Sequence, residues 1–254
     1  MEFITGNNFK KLCNFYLDEH GYGIINKHEN KNLPSYFVKT DYIDNFFLNY
    51  KPKNKFILLT HNSDYHITKK HINYLNDEFL VYWFAQNVDV VHPKIKSIPI
   101  GIANEKWPHG NLDILKKVID EKNIKNNIIY SNFNLNTNIK ERSNCLREIT
   151  KKGLVLTQTK DFESYLRELS KSLFVISPNG NGVDCHKTWE SLYLHTIPIV
   201  TKSLNMSFYK NLPILMLNNW DELDVDLLNQ DYYNYIWNKF DSKNLYPKKF
   251  LQHV

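Results

Sequence analysis

Lys187 and Glu190 stand three residues apart, just after the turn Pro178-Asn-Gly-Asn-Gly182, which itself follows a run of β-formers from Leu173 to Ser177. On a helix that spacing separates them by about one turn, so both can serve one ligand. Cations, a carboxylate and main-chain N–H groups gathered at the carboxyl end of a buried strand suit a molecule with phosphate at one end and hydroxyls at the other. Gly180 and Gly182 let the backbone approach the phosphate, with Asn179 and Asn181 between and beside them. His186 and Lys187 add charge-assisted donors in the first helical turn, and Glu190 accepts from hydroxyls. The plain alternative is a chain reversal with Glu190 on a solvated helix face. The segment is neither the G-x-x-x-x-G-K-[ST] phosphate loop nor the G-x-G-x-x-G dinucleotide fingerprint.

The wider stretch Phe174 to Val200, FVISPNGNGVDCHKTWESLYLHTIPIV, resembles the donor-binding core of the exostosin-like glycosyltransferases. Their pattern runs apolar strand, Pro-Arg-Gly-x-Gly, a short link, Arg-x-x-Glu-Ala-Leu and Gly-x-Ile-Pro-Val. Pro178, Gly180, Gly182, Glu190, Leu192, Ile197 and Pro198 match it in order. Asn179 replaces the first arginine and Lys187 the second, which keeps the charge but loses the bidentate fork. His195 replaces the usual small residue before Thr196-Ile-Pro. The clear similarity is confined to this stretch.

The resemblance implies an α/β chain of the GT-B kind, two Rossmann-like lobes with parallel sheets facing across a cleft. It also implies a nucleotide-sugar donor, UDP favoured over GDP, held by the C-terminal lobe. The reaction it implies is metal-independent, inverting transfer of a hexosyl or pentosyl group to a hydroxyl of a glycan or glycoprotein. Family members place a basic residue for the diphosphate where Arg142 stands, and receive the nucleobase near Thr157 and Asp161. With no metal, cations and the helix dipole must stabilise the departing diphosphate. Asp224-Val-Asp226, the nearest approach to an Asp-x-Asp metal motif, reads better as carboxylates at a helix start.

Inverting transfer needs a base. Thr60-His-Asn-Ser-Asp64 ends an expected strand and offers Asp64 first and His61 beside it, with Asp41 in reserve. A polar turn with Asp64 as helix N-cap is the competing reading. Asn104, Trp107 and His109 are assigned to the acceptor side, with Trp107 suited to stack on a sugar, whereas Trp83 reads as core. A non-catalytic nucleotide-sugar- or glycan-binding module would keep the turn and Glu190 and need no base.

The elements that must position these residues are short apolar runs alternating with amphipathic stretches, the order of parallel strands with crossover helices. Strands are expected at Tyr36–Thr40, Phe56–Thr60, Phe79–Ala85, Ile98–Ile100, Ile128–Ser131, Leu154–Thr157, Leu173–Ser177, Ile197–Val200 and Ile214–Leu217. Helices are expected at Leu112–Glu121, Lys140–Lys151, Phe162–Lys171, Cys185–Leu194 and from about Trp220. The Asn-Lys-rich Lys122–Asn127 reads as the connection between lobes, giving an acceptor-side lobe over 1–122, a donor lobe over 123–230, and a helical aromatic tail over 231–254 packing back on the first lobe.

In 254 residues, 42% hydrophobic and 14% aromatic side chains suffice for packed cores. The net charge of +5 is scattered rather than concentrated, which argues against a nucleic-acid footprint. No run reaches the roughly 18 apolar residues of a membrane span, and Met-Glu-Phe-Ile-Thr lacks the order of a signal peptide, so a cytoplasmic location is expected. Cys13, Cys145 and Cys185 suggest neither a disulfide framework nor a zinc site.

Overall fold

The computed structural model describes residues 2–26, 33–158, 160–240 and 245–251. The chain is mixed α/β with parallel sheets, Rossmann-like in character, and separates into two compact units: Met1–Ile100 with Asn244–Val254, and Gly101–Lys243.

The first unit is built on strands β1 (Phe15–Asp18), β2 (Gly21–Ile24), β3 (Ser35–Lys39), β4 (Phe56–His61), β5 (Ile67–Thr68), β6 (Leu80–Ala85), β7 (Val88–Asp89) and β8 (Ile95–Ser97). Six of them form one sheet in the order β2-β1-β3-β4-β6-β8, while β5 and β7 pair separately. Every neighbouring pair is parallel except the hairpin β1/β2, whose turn is made possible by Gly21 at φ +93°. The unbroken apolar run of β4 is buried along its whole length, as a central parallel strand requires. Helices α1 (Gly6–Lys11), α2 (Ile43–Asn45) and α3 (Ile72–Leu75) are short. Val38, Phe46, Phe56, Leu58 and Trp83 are core, and the Trp83 indole N–H donates to Thr60 Oγ1 at 2.9 Å.

The second unit holds β9 (Asn127–Ser131), β10 (Ser172–Ile176), β11 (Ile197–Thr201) and β12 (Leu215–Leu217), an all-parallel sheet in the order β12-β11-β10-β9. Its helices are α4 (Leu112–Asp120), α5 (Ile139–Lys151), α6 (Phe162–Ser170), α7 (His186–Tyr193), α8 (Leu204–Ser207) and α9 (Gln230–Trp237). Asn111, Asn138, Asp161, Ser203 and Asn229 cap α4, α5, α6, α8 and α9, each side chain accepting from first-turn N–H groups. Phe174, Ile176, Ile197 and Ile199 form the inner layer against Cys145, Ile149 and Trp220.

Five expectations need correction. The strand expected at Ile98–Ile100 lies earlier, at β8, because Ile98 only closes the ladder with one bond to the Ala85 carbonyl. Leu154–Thr157 is irregular: Thr157 N–H reaches Ser131 O at 2.8 Å, but the Ser131 hydroxyl takes the Val155 carbonyl and no ladder develops. The helix expected from Trp220 is a single 3-10 turn, Trp220–Glu222, and Asp224 folds back to accept from Asp226 N–H at 3.1 Å. The units part at Ile100/Gly101 and not at 122/123. Helix α4 packs on α6, and Lys125 ties the Asn-Lys-rich segment to β10 and the end of α7. Within the expected helical tail, α9 packs on β10 of the second unit, Pro247–Leu251 is a 3-10 turn, and residues 241–244 and 252–254 lie outside the described residues.

Candidate ligand site at the β10–α7 turn

The fold delivers the turn as the sequence requires. Strand β10 is fully buried, Ser177 to Gly180 leave it at its carboxyl end with Ser177, Pro178 and Gly180 buried, and α7 starts at His186. Ser177 and Thr188 share a hydroxyl hydrogen bond at 3.1 Å, which fixes where the chain leaves the strand relative to the helix. Trp189, wholly buried, donates to Asp184 Oδ1 at 2.8 Å and anchors the other side of the turn.

Arg142 reaches this turn from the first turn of α5. Its Nε donates to the Asn179 carbonyl at 3.0 Å and its Nη1 to the Asn134 carbonyl at 2.6 Å. Nη2 lies 3.3 Å from the point a Cβ on Gly180 would occupy, and it makes no hydrogen bond among the described residues. Two carbonyls thus hold the guanidinium plane while one amino group is left pointing past a glycine. Asn138, the α5 cap, donates to the Gly180 carbonyl at 2.8 Å. Cys185 completes the turn by accepting from Gly180 N–H at 3.0 Å and donating to the Pro178 carbonyl at 3.5 Å; burial pushes its thiol up to about 11. Asn181 is exposed at the tip and Gly182 is buried.

Lys187 and Glu190 turn inward. The Lys187 ammonium donates to the Asn132 carbonyl and sits 5.3 Å from the centre of the Tyr165 ring. The Tyr165 hydroxyl donates to Glu190 Oε2 at 2.7 Å. Burial raises the Glu190 carboxyl and lowers the Lys187 ammonium, each shift opposed by the charge of the other. The pair therefore forms a floor under the turn. The expected outward cation at Lys187 is replaced in geometry by Arg142.

His186 donates from Nδ1 to the Gly101 carbonyl at 2.7 Å, which places a proton on that nitrogen. His109 lies 6.0 Å from it, ring to ring, and Trp107 stacks on His109 at 6.2 Å. Trp107 is 52% exposed on the wall of a depression of about 530 Å³, and the Asn104 carbonyl accepts from its N–H at 3.0 Å. Asn104, Trp107 and His109 thus belong to the same unit as the turn.

Thr157 is occupied in structure, its hydroxyl donating to Ser131 O at 2.9 Å and accepting from Asn132 Nδ2 at 3.1 Å. Asp161 caps α6 by accepting from Ser164 N–H at 2.9 Å, which holds its carboxyl below the usual range. In the first unit, His61 is buried with both ring nitrogens engaged: Nδ1 accepts from Asn62 N–H at 2.7 Å and Nε2 donates to Pro99 O at 3.0 Å. Burial lowers its pKa, so the ring is neutral. Asp64 is exposed and its carbonyl accepts from Asn87 Nδ2 at 3.5 Å; Asp41 is exposed in a 3-10 turn.

Tyr165, Asn132 and Asn138 are site residues that sequence reasoning missed. Asn138 stands two residues before the helix expected at Lys140–Lys151, where an asparagine suits an N-cap, whereas nothing in the spacing of Tyr165 links it to Glu190. Among the described residues no helix is long and apolar enough to cross a membrane. Compared with models of known protein families and with curated proteins, the chain matches none.

Proposed function

We propose that the chain is a GT-B glycosyltransferase that moves a sugar from a nucleotide-sugar donor, UDP favoured, to a glycan hydroxyl without a metal. The observation that carries this reading is Arg142, held by two backbone carbonyls with Nη2 unspent over Gly180 at the amino end of α7. An anion seated there meets a pre-oriented guanidinium, which limits the ordering cost of binding. Lys187 beneath the turn adds positive potential without touching the ligand, and Trp107 offers an apolar ring face to an acceptor sugar. Asp64 is the base in this reading, since His61 is consumed by Asn62 and Pro99.

A thermal-stability screen of UDP- and GDP-sugars without Mg²⁺ tests it, because a ligand at about 100 times its Kd stabilises the native state by about 2.7 kcal/mol. A donor that raises the melting temperature of the wild type but not of Arg142→Ala supports the site; no shift with any donor overturns it. The engagement of His61 also favours a second reading, a nucleotide-sugar-binding module without turnover. Donor consumption in the presence of glycan acceptors, abolished in Asp64→Asn, separates the enzyme from the module.

A further inference from the structure

Lys125 is a half-buried lysine whose ammonium has only neutral partners. Its Nζ donates to Ser172 O at 2.8 Å, Leu194 O at 3.0 Å and Thr196 Oγ1 at 2.8 Å, and no carboxylate pairs with it among the described residues. A charge drawn partly out of water without a counter-ion is costly, and proteins ordinarily pair it. Beside it, at the opposite end of α7 from the glycine turn, lies a cavity of about 330 Å³. Lys122 and His195 share its wall with Lys125, and Val118, Ile119 and Leu194 supply an apolar side. Neither the Lys122 ammonium nor the His195 ring makes a hydrogen bond among the described residues, although Trp237 stacks on His195 at 5.0 Å.

Two backbone conformations at this cavity carry strain. Lys122 has φ +48° and His195 φ +56°, left-handed geometry that glycine adopts without cost and that side chains larger than asparagine rarely take. His195 follows the C-cap Leu194 of α7, where a glycine would end the helix most cheaply. The chain thus holds a cation and an imidazole at the two strained positions, both on the wall of one cavity.

We propose that this cavity is a second binding site, for a small monocarboxylate with an apolar body. The carboxylate is taken by Lys122 and the His195 ring and supplies the counter-charge that Lys125 lacks, while the body packs on Val118, Ile119 and Leu194. The volume exceeds what inorganic phosphate fills and falls in the range of small-molecule pockets.

The test uses the full chain and benzoate as the probe, with benzyl alcohol as its neutral counterpart and inorganic phosphate as an anion without an apolar body. Benzoate should bind saturably by calorimetry and raise the melting temperature, and benzyl alcohol and phosphate should not. Lys122→Gly and His195→Gly suit the left-handed backbone and keep the fold. Each should weaken benzoate roughly tenfold by removing one charge-assisted or hydrogen-bonding donor. A UDP-sugar that binds at the turn should leave benzoate affinity unchanged, so this site and the donor site fail independently. The proposal is overturned by no saturable benzoate binding to the wild type, by equal binding of benzyl alcohol or phosphate, by unchanged affinity in both glycine variants, or by displacement of benzoate by a UDP-sugar.

Discussion

Arg142 Nη2 and Gly180 face each other with nothing between them: the nitrogen is 3.3 Å from the place a Cβ would occupy. An alanine there is at the near limit of ordinary packing, so the guanidinium must move by a few tenths of an ångström while its Nε and Nη1 bonds hold it back. Gly180→Ala should fold with little loss of stability yet weaken donor binding. Arg142→Lys should weaken it more, because an ammonium cannot span Asn179 O and Asn134 O and still face the turn. Donor titrations followed by calorimetry check both, and donor affinity unchanged by Arg142→Lys would remove the arginine from the site.

Tyr165→Phe isolates the floor of the turn. The hydroxyl bond to Glu190 matters most when Glu190 is ionised, and burial raises that carboxyl. A group whose folded pKa is raised contributes stability that is full at acid pH and lost as pH rises through the folded value. Removing the hydroxyl raises the carboxyl further, so the penalty of Tyr165→Phe should be small at pH 5 and reach about 1–3 kcal/mol near pH 8, the cost of a buried charged group deprived of a donor. Urea denaturation at the two pH values measures it; an equal loss at both would mean that the hydroxyl does not support an ionised Glu190.

Cys185 makes a third case. Its thiol accepts from Gly180 N–H and donates to Pro178 O, and burial keeps it protonated near neutrality. Iodoacetamide should therefore modify it far more slowly than an exposed thiol, since the thiolate is the nucleophile. Cys185→Ser should retain donor affinity and Cys185→Ala should lower it, because the alanine leaves the Gly180 N–H without its acceptor. Alkylation followed by mass spectrometry and donor titration of the two variants check these outcomes.

How much of this was legible in the sequence depends on the reach of the interaction. The unit β10, turn, α7, β11 could be read to within a residue, because a buried β-former run, paired glycines and an amphipathic helix are local signals. Hairpin β1/β2 was missed: Phe15–Asp18 and Gly21–Ile24 are short, and two glycines in β2 dilute its strand character. The inward turn of Lys187 could not be read, since it depends on Asn132 and Tyr165, residues distant in sequence. For the same reason Lys122–Asn127 looked like a linker. Its composition is that of a loop, and only the three-dimensional partners of Lys125 show it to be an anchor.

Gly6 shows that the first unit carries a lock where chemistry was expected. A Cβ on Gly6 would stand 1.7 Å from Asn62 Oδ1 and 2.6 Å from His61 Nδ1, so α1 can approach the end of β4 only as glycine. Asn62, at φ +60°, in turn donates its N–H to His61 Nδ1 and to Gln86 Oε1 at 3.1 Å. Gly6→Ala should destabilise the protein by about 1–3 kcal/mol through overpacking. His61→Ala should be at least as damaging, since it removes a buried ring, strips the buried Pro99 carbonyl of its donor and leaves the Asn62 N–H with Gln86 Oε1 alone. Thermal denaturation measures both, and a His61→Ala protein of wild-type stability would return His61 to the list of candidate bases.

Lys125 sets a pH dependence of the opposite sign to that of Glu190. Burial pulls its ammonium down from 10.5 to about 7, while three oxygen acceptors favour the charged form and hold the fall in check. A group whose folded pKa is depressed contributes stability that is full above its unfolded pKa and lost as pH falls through the folded value. The wild type should therefore lose stability relative to Lys125→Met as pH drops from about 10 to 7, by at most about 5 kcal/mol. Methionine keeps the stem of the side chain and carries no charge, so the difference in unfolding free energy between the two proteins, followed against pH, isolates this one titration. Parallel curves for the two proteins would mean that Lys125 stays ionised throughout, stabilised by its oxygen acceptors alone. A wild-type curve lifted at pH 7 by benzoate, with no lift in Lys125→Met, would tie the missing counter-charge to the cavity beside it.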